Sequence, residues 1–494
     1  MATISEALAI AIGHHQAGRL QAAEQLYQRI LAVQANHAGA WHLLGVIAHQ
    51  MGRHEVAVQY IQRAIGFEGN VAAFHNNLGE TYLALRRMPE AVACFHAALQ
   101  LNPDFAEAHY NLGNALRDQG KQDQAVACYR RALELKPDYV EPYNNLGNVL
   151  NAQGKRDEAV ACYRRALELK PDFAEAHWNR ALLWLLTGDF AQGWPEYEWR
   201  WRRKQAPRRP FPEAPWDGRP LDGKTIVLHT EQGLGDTIQF IRYAALVRQS
   251  GARVIVACQK ALLPILKSCQ GIDLLVPETA PPPAFDAHVP LMSLPGIFKT
   301  SLESIPGETP YLFADSELVG KWRERLGEFS GFKIGICWQG NPAYRNDRDR
   351  SVPLREFASL ARIAGICWIS LQKGLGREQL AEVRDRFPVI DLADELDEEA
   401  GPFMDTAAVM KNLDLVITVD TAIEHLAGAL GVPVWVALPL APDWRWFLDR
   451  VDSPWYPTVR LFRQRERGNW QGLFDEIGKA IRRRLQSPTT DGVT

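Results

Sequence analysis

The chain has 494 residues, 47% hydrophobic and 23% charged, with 55 basic against 58 acidic side chains and a net charge of −3. That length exceeds one compact domain, and the composition excludes a disordered, collagen-like or fibrous chain. Neither residues 1–203 nor the remainder carries bulk positive charge, so nucleic acid is not the leading partner. Of the seven cysteines, Cys94, Cys128 and Cys162 recur at a fixed interval and read as small core residues. Cys258, Cys269, Cys337 and Cys367 lie in or beside apolar runs. With no CxxC pair or Cys/His ligand spacing, neither a structural zinc nor a disulfide framework is expected, and a reducing compartment fits. The amino end lacks a basic stretch leading into an apolar one, and no apolar run reaches about 18 residues. A cytoplasmic location without a transmembrane segment is expected, with a peripheral membrane encounter left open.

Residues 1–203 are governed by a repeat. Gly45, Gly79, Gly113 and Gly147 are spaced 34 apart, as are Ala57, Ala91, Ala125 and Ala159, and Pro103, Pro137 and Pro171. The segments GKQDQAVACYRRALELKPD and GKRDEAVACYRRALELKPD are near copies. Small residues, aromatics and proline all falling in register resemble the tetratricopeptide repeat. About six units are expected between residues 4 and 203. Each is a pair of antiparallel helices, with Gly113 and Ala125 at the close approach and Tyr129 and Tyr163 filling the space between repeats. The first unit carries Ala11 in place of the glycine. The last contains Trp178, Trp184, Trp194, Trp199 and Trp201, which suggests an end unit docked onto another part of the protein.

Asn77, Asn111, Asn145 and Asn179 occupy one position in four successive repeats, with Asn114 and Asn148 three residues further on. Such a column of amides can bind the backbone of an extended peptide. It is similar to the asparagine ladder of O-linked N-acetylglucosamine transferases. The alternative is that these amides are solvated or bond between repeats. His75, His109 and His177 share a column that ordinarily packs an aromatic ring, which disfavours metal binding there.

Pro207, Pro210, Pro212, Pro215 and Pro220 mark residues 204–223 as a linker, extended rather than helical. From residue 224, strand patterns at TIVLH, RVIVAC and IDLLVP alternate with helical ones, and PPPAFDAHVPLMSLP reads as irregular. After a connecting helix at 317–326, a second alternation uses FKIGICW, ICWISLQ, PVIDL, DLVITVD and PVWVAL. Both describe parallel sheets with crossover helices, hence two doubly wound halves, 224–316 and 317–494, with ligand at the carboxyl ends of the strands.

The motif ITVDTAIEHLAGALGVPVW ends a strand at Asp420-Thr421 and starts a helix at once, a geometry suited to phosphate, with His425 on the same face. A plain capped helix is the alternative. Asp236 of EQGLGD follows two glycines at a strand-to-helix turn, and its alternative is an N-cap for a helix beginning at Thr237. Arg345, Arg348 and Arg350 can neutralise a diphosphate, or form a solvated loop. Asp347 and Asp349 are spaced like a metal-binding DxD, but arginines flank them. Gln372-Lys373 ends another strand and can meet a nucleotide base or ribose. Trp444, Trp446 and Trp455 gather near Arg445, to hold a sugar or acceptor or to pack.

DT-x-x-x-HLAGALG-x-P paired with the GLGD loop resembles the heptosyltransferase family of bacterial glycosyltransferases over about 224–485. That resemblance implies the two-half glycosyltransferase B fold, so the expected architecture is a solenoid of tetratricopeptide repeats followed by that α/β fold. It also implies a nucleotide-sugar donor and no metal or other cofactor. It places Asp236 as general base. Gly235, Asp420, Thr421 and His425 stand at the donor, and Arg350 matches a lysine that contacts the donor phosphate. Ala422 stands where the family usually has glycine. Repeats joined to such a domain are also similar to protein O-glycosyltransferases, including flagellin-modifying ones. The expected function is therefore inverting sugar transfer to a Ser or Thr hydroxyl, with the acceptor held by Asn77, Asn111, Asn145 and Asn179. A glycan or lipopolysaccharide acceptor with partner-recruiting repeats, and an inactive repeat scaffold, stay open.

Overall fold

The computed structural model describes residues 3–204, 206, 211, 215–344 and 347–486. The chain divides into two compact units, Met1–Arg180 and Ala181–Thr494.

The first unit is a run of helical pairs, from Ile4–Gln16 with Leu20–Val33 to Val140–Ala152 with Arg156–Leu169. The repeat spacing has a steric cause. A Cβ on Gly79 would lie 2.5 Å from the Phe95 ring, and on Gly113 or Gly147 it would lie 2.7 or 2.6 Å from Tyr129 or Tyr163. In these three pairs the second helix thus lays an aromatic side chain directly on the bare backbone of the first, while Gly45 meets Ile61 in the same way. Ala125 and Ala159 are fully buried beside them. The second helices end at Leu101, Leu135 and Leu169, so Pro103, Pro137 and Pro171 fall just beyond the last turn, where the missing N–H costs nothing.

The second unit starts with the end of helix Ala174–Thr187, followed by helix Phe190–Tyr197 and a 3₁₀ turn to Arg202. The division falls at 180/181 rather than at 203, because this end piece is built into the α/β core. Trp194 Nε1 donates to the Thr300 carbonyl at 3.0 Å, and its ring meets Trp444 edge-on at 5.5 Å. Arg200 is clasped by both Glu231 oxygens (2.7 and 2.8 Å) and donates to Ser293 Oγ, with only 4% and 3% of the two charged side chains exposed. Pro207, Pro210 and Pro212 lie outside the described residues. The described part of the expected linker is packed: Phe211 sits against His229 and Phe285, and the Trp216 N–H bonds the His288 carbonyl.

Strands β1 (Thr225–His229), β2 (Arg253–Cys258), β3 (Leu274–Pro277) and β4 (Ala287–Pro290) form a parallel sheet in the order β3-β2-β1-β4. β4 lies in the stretch read from sequence as irregular. Its four residues end in proline, which hides them, but Val289 is fully buried and Leu228 pairs with it. The second sheet contains β5 (Phe332–Cys337), β6 (Ile366–Ser370), β7 (Val389–Asp391), β8 (Leu415–Val419), β9 (Val434–Leu438) and β10 (Val459–Arg463). All its strand pairings are parallel, in the order β10-β9-β8-β5-β6-β7. Counted within that half the order is 3-2-1-4-5-6 from the far edge, the doubly wound arrangement of nucleotide-binding sheets. The sequence patterns do not pick out the closing strand β10 or helix Trp470–Gln486. That helix lays Leu473, Phe474 and Ile477 on the core formed by Ile334, Trp338 and Phe357. β8 and β9 are buried along their whole length, as expected for strands covered on both faces. Among the described residues no helix is long and apolar enough to cross a membrane.

The glycine rule gives a test. Gly147→Ala forces a methyl into the Tyr163 ring, whose hydroxyl is tied to Asn148 at 2.8 Å and whose side chain is buried. A loss of about 1–3 kcal/mol is expected from overpacking. Gly66→Ala, in an open helical position, is expected to be neutral or stabilising by up to about 1 kcal/mol. Urea midpoints of the two variants check the contrast, and equal midpoints would defeat it.

Candidate functional site

In a doubly wound sheet the loops at the strand carboxyl ends, beside the point where strand order reverses, form the ligand crevice. In the second half that point lies between β5 and β8, whose following loops carry Arg350 and Asp420-Thr421. In the first half the loop after β1 carries Gly235 and Asp236.

Helix Leu234–Phe240 begins with Gly233 as its N-cap, so Asp236 is the third helical residue rather than a cap. Its Oδ2 accepts the Gly233 N–H at 2.8 Å, reaching back over the first turn. Its Oδ1 is paired with Arg445 Nη2, from the second half. Burial raises the Asp236 carboxyl above its usual range, Arg445 opposes that rise, and Asp443 adds to it. The next helix across, Ala422–Ala429, is capped by Thr421. The Ile423 N–H reaches Thr421 Oγ1 at 3.2 Å, and the Thr421 N–H reaches Glu424 Oε2 at 2.7 Å. T-x-x-E is a capping box, so part of this helix's amino end is filled from within. The helix is thus capped, as the plain-cap alternative has it, but by Thr421 with Glu424 rather than by Asp420.

Gly235 and His425 meet directly. A Cβ on residue 235 would lie 2.6 Å from His425 Cδ2 and 3.5 Å from the Ala422 Cα. The imidazole stacks on Trp446 with centroids 5.5 Å apart, and its Nδ1 is 2.9 Å from the Tyr456 hydroxyl. Burial holds it well below the usual histidine range, and Arg445, Arg242 and Arg350 push the same way. Asp420 is raised to about 6 by burial and by Asp443, against Arg350 and Arg445.

Arg350 donates Nε to Asp347 Oδ1 at 3.2 Å, stacks over the Tyr344 ring at 4.7 Å, and leaves room for no side chain at Gly340, where a Cβ would lie 2.8 Å from its Nη2. Asp347 also accepts from Ser351 Oγ, and Asp349 pairs with Arg467. The DxD spacing is thus spent on structural partners. Arg345 and the Arg348 side chain lie outside the described residues.

Gln372 does not face a ligand. Its Oε1 accepts the N–H groups of Trp338 and Gln339 at 3.1 and 3.0 Å, and its Nε2 donates to the carbonyls of Gln339 and Leu375 at 3.1 and 2.8 Å. Four bonds saturate an amide, so this side chain pins the loop after β5 and has no capacity left for a nucleotide. Lys373 reaches the Leu396 carbonyl and Glu398 instead of a ribose.

The residue that sequence reasoning did not place in the site is Arg445. It is 6% exposed and joins Asp236, Asp443 (2.7 Å) and Gln239 (2.7 Å) while lying over the Trp444 ring. The tryptophan-rich segment flagged it without assigning it. Asp236, its partner, is 209 positions away.

The asparagine ladder is a clasp between repeats. Each Nδ2 donates to the residue 35 positions back: Asn77 to His42 (2.9 Å), Asn111 to Asn76 (3.0 Å), Asn145 to Tyr110 (3.2 Å) and Asn179 to Asn144 (2.8 Å). Asn111 also reaches Glu80 at 2.6 Å, and Asn145 reaches Asn114 at 2.8 Å. The inter-repeat alternative is the one observed for these donors. His75, His109 and His177 each bond a backbone carbonyl six residues back at 2.9 Å, which closes the turn before their helix.

Family models described as "TPR repeat" match residues 87–117, 113–154 and 147–188, and one described as "Tetratricopeptide repeat" matches 8–72. The amino-terminal part of the chain is therefore a tetratricopeptide repeat array. Protein FlbA of Caulobacter vibrioides (strain ATCC 19089 / CIP 103742 / CB 15) is 27% identical over 331 residues, covering 61% of this chain and 54% of that protein. The chain thus spans about half the length of that relative, and the match is too long to be confined to the repeats. Among solved structures, TTC0263, a thermophilic TPR protein in Thermus thermophilus, is 24% identical over 37% of this chain and 100% of its own, with a TM-score of 0.33. YrrB, a TPR protein with an unusual peptide-binding site, is 19% identical over 36% of this chain and 93% of its own, with a TM-score of 0.31.

Two measurements check this electrostatic and hydrogen-bonding account. Asn111→Ala leaves Asn76 Oδ1 without its donor and Glu80 with Asn76 Nδ2 alone, and is expected to cost about 1–3 kcal/mol in urea unfolding. Asp420 binds its proton more tightly folded than unfolded, where the value is about 3.9. Its contribution therefore favours folding below about pH 4 and is lost as pH rises through about 6. Asp420→Asn should gain about 1–2 kcal/mol on the parent between pH 4.5 and 7.5. A difference that does not vary with pH would reject the assignment.

Proposed function

We propose that the α/β region is an inverting glycosyltransferase that moves a sugar from a nucleotide-sugar donor to a protein Ser or Thr hydroxyl, with the repeats holding the polypeptide. The observation that carries this reading is the meeting of Asp236, from one parallel-sheet half, with Arg445 and the Asp420–His425 turn of the other. All of them stand near the carboxyl ends of strands. Repeats that cannot bury an apolar face alone stack into extended protein-binding surfaces, which suits a polypeptide acceptor.

Asp236 takes the proton of the attacking hydroxyl. Its two hydrogen bonds, to the Gly233 N–H and to Arg445, hold the carboxylate in one orientation and leave further lone pairs for an incoming proton. Arg350, bound among the described residues through Nε alone, offers its outer guanidinium nitrogens to the departing diphosphate. Arg445 is held between Asp236 and Asp443 and serves to position the base. His425 and Gly235 set the spacing between the two turns. With Ile423 and Thr421 N–H groups spent on the capping box, the weight of diphosphate binding falls on Arg350 more than on the helix end.

The test uses full-length protein, a panel of labelled nucleotide sugars and lysate as acceptor. Label on a protein band is expected, and Asp236→Asn should lower transfer about 10²–10⁴-fold while donor binding persists. Label confined to glycan or lipid moves the acceptor class. Donor binding with no turnover leaves a scaffold.

A further inference from the structure

The turn D-T-A-I-E-H has a second property, independent of sugar transfer. Ligand-capable atoms of Asp420, Glu424 and His425 all lie within 4.8 Å of one another. Glu424 is 0% exposed. Its Oε2 takes the Thr421 N–H and hydroxyl at 2.7 and 3.1 Å, whereas its Oε1, equally buried, has no hydrogen-bond partner. His425 has its Nδ1 on the Tyr456 hydroxyl at 2.9 Å, so its Nε2 is the nitrogen left to the turn. That Nε2 stands 3.6 Å from Glu424 Oε1.

A separation of 3.6 Å is too long for a hydrogen bond. In the tautomer that donates from Nδ1 to Tyr456, two lone pairs face each other across it. A cation resolves that conflict. Ligand bonds of about 2.0–2.2 Å at a tetrahedral ion put neighbouring donor atoms about 3.4 Å apart, close to the observed gap. We propose that Asp420, Glu424 and His425 hold a divalent transition-metal ion through two carboxylate oxygens and His425 Nε2, with Tyr456 fixing the imidazole from behind.

The charges nearby permit this. Arg445 is paired with Asp236 and Asp443, and Arg350 with Asp347 through Nε, while Arg242, the third guanidinium facing the imidazole, is held by the Gln239, Pro306 and Trp455 carbonyls and the Tyr311 hydroxyl. Among the described residues neither carboxyl of the turn forms an ion pair with a lysine or arginine, although Arg350 and Arg445 lie near enough to act on Asp420. Glu424 Oε1, buried without a partner, is an unsatisfied acceptor of the kind a bound cation relieves. A set of one nitrogen and two oxygens favours zinc, manganese, iron or cobalt over calcium or magnesium. Hydrogen bonding of the far imidazole nitrogen to Tyr456 is the usual outer support of a histidine ligand. The site departs from the metal-free expectation drawn from the sequence.

The experiment needs no sugar, so its failure is separate from failure of the transferase reading. Full-length protein is stripped with chelator and titrated with Zn²⁺ and, separately, with Co²⁺, whose visible spectrum reports ligand type. One ion per chain is expected, with a nitrogen/oxygen spectrum and a raised thermal midpoint. Glu424→Gln and His425→Ala should each weaken binding at least tenfold, and Tyr456→Phe about tenfold. His15→Ala, in the first helix, should leave it unchanged. Glu424→Gln keeps the oxygen that caps Thr421, so it tests the ion without removing the cap. Metal-edge X-ray absorption on the parent protein decides even if the histidine variant does not fold. Absence of a stoichiometric ion, a thiolate signature, or affinity untouched in Glu424→Gln would overturn the proposal.

Discussion

The missing side chain at residue 235 is the constraint on which the α/β region depends. Two helices, each starting at the carboxyl end of a strand and each belonging to a different half, approach until the bare Gly235 backbone lies on the His425 ring and the Ala422 backbone. Any larger residue there would force the turns apart and with them Asp236, Arg445 and Asp420. The contact also explains the buried state of the imidazole. It is enclosed by Gly235 on one side, Trp446 on another and Tyr456 behind, and burial disfavours its charged form, with three arginines pushing the same way. Electrostatics and packing are thus one arrangement: the close approach excludes water, and exclusion of water shifts every titratable group in the turn.

The repeat unit obeys the same steric logic with a different outcome. There the glycines admit a large side chain from the partner helix of the same pair, Ile61 at Gly45 and aromatic rings at Gly79, Gly113 and Gly147, which builds the core of each repeat. Polar side chains then set the stacking. The asparagines act across pairs, each reaching back 35 positions to a histidine, asparagine or tyrosine. A bond pattern that tolerates three different acceptors is tied to the backbone spacing rather than to acceptor chemistry, and this lets the repeats drift in sequence while keeping register.

Much of this was legible in the sequence because it is periodic or local. The 34-residue spacing identified the helical pairs, and the change from helical to strand patterning located both sheets. Asp236 and Asp420 could be singled out because each stands at a strand-to-helix turn. What was hidden depended on partners distant in the chain or on counts of bonds. β4 has four residues and β10 lies between turns, so neither shows a long apolar run; sheet pairing makes them strands. Arg445 acquires meaning only through Asp236. Gln372 ends a strand, which a ligand-binding residue also does, and only its four filled hydrogen-bond positions exclude that role. The asparagine column is plain in the sequence, but repetition along one face does not say whether the amides point to a partner or to the next repeat.

The Arg200–Glu231 pair has a consequence for how this protein can be divided. Two buried charges satisfied in both oxygens join the piece after the repeats to the very loop that leads into Asp236. Cutting the chain at 203/204, where the repeat pattern ends, would strand Glu231 as a lone buried charge, at a cost of several kcal/mol. The α/β region therefore reaches back to about residue 181, and most of the last helical pair belongs to it as its own first element.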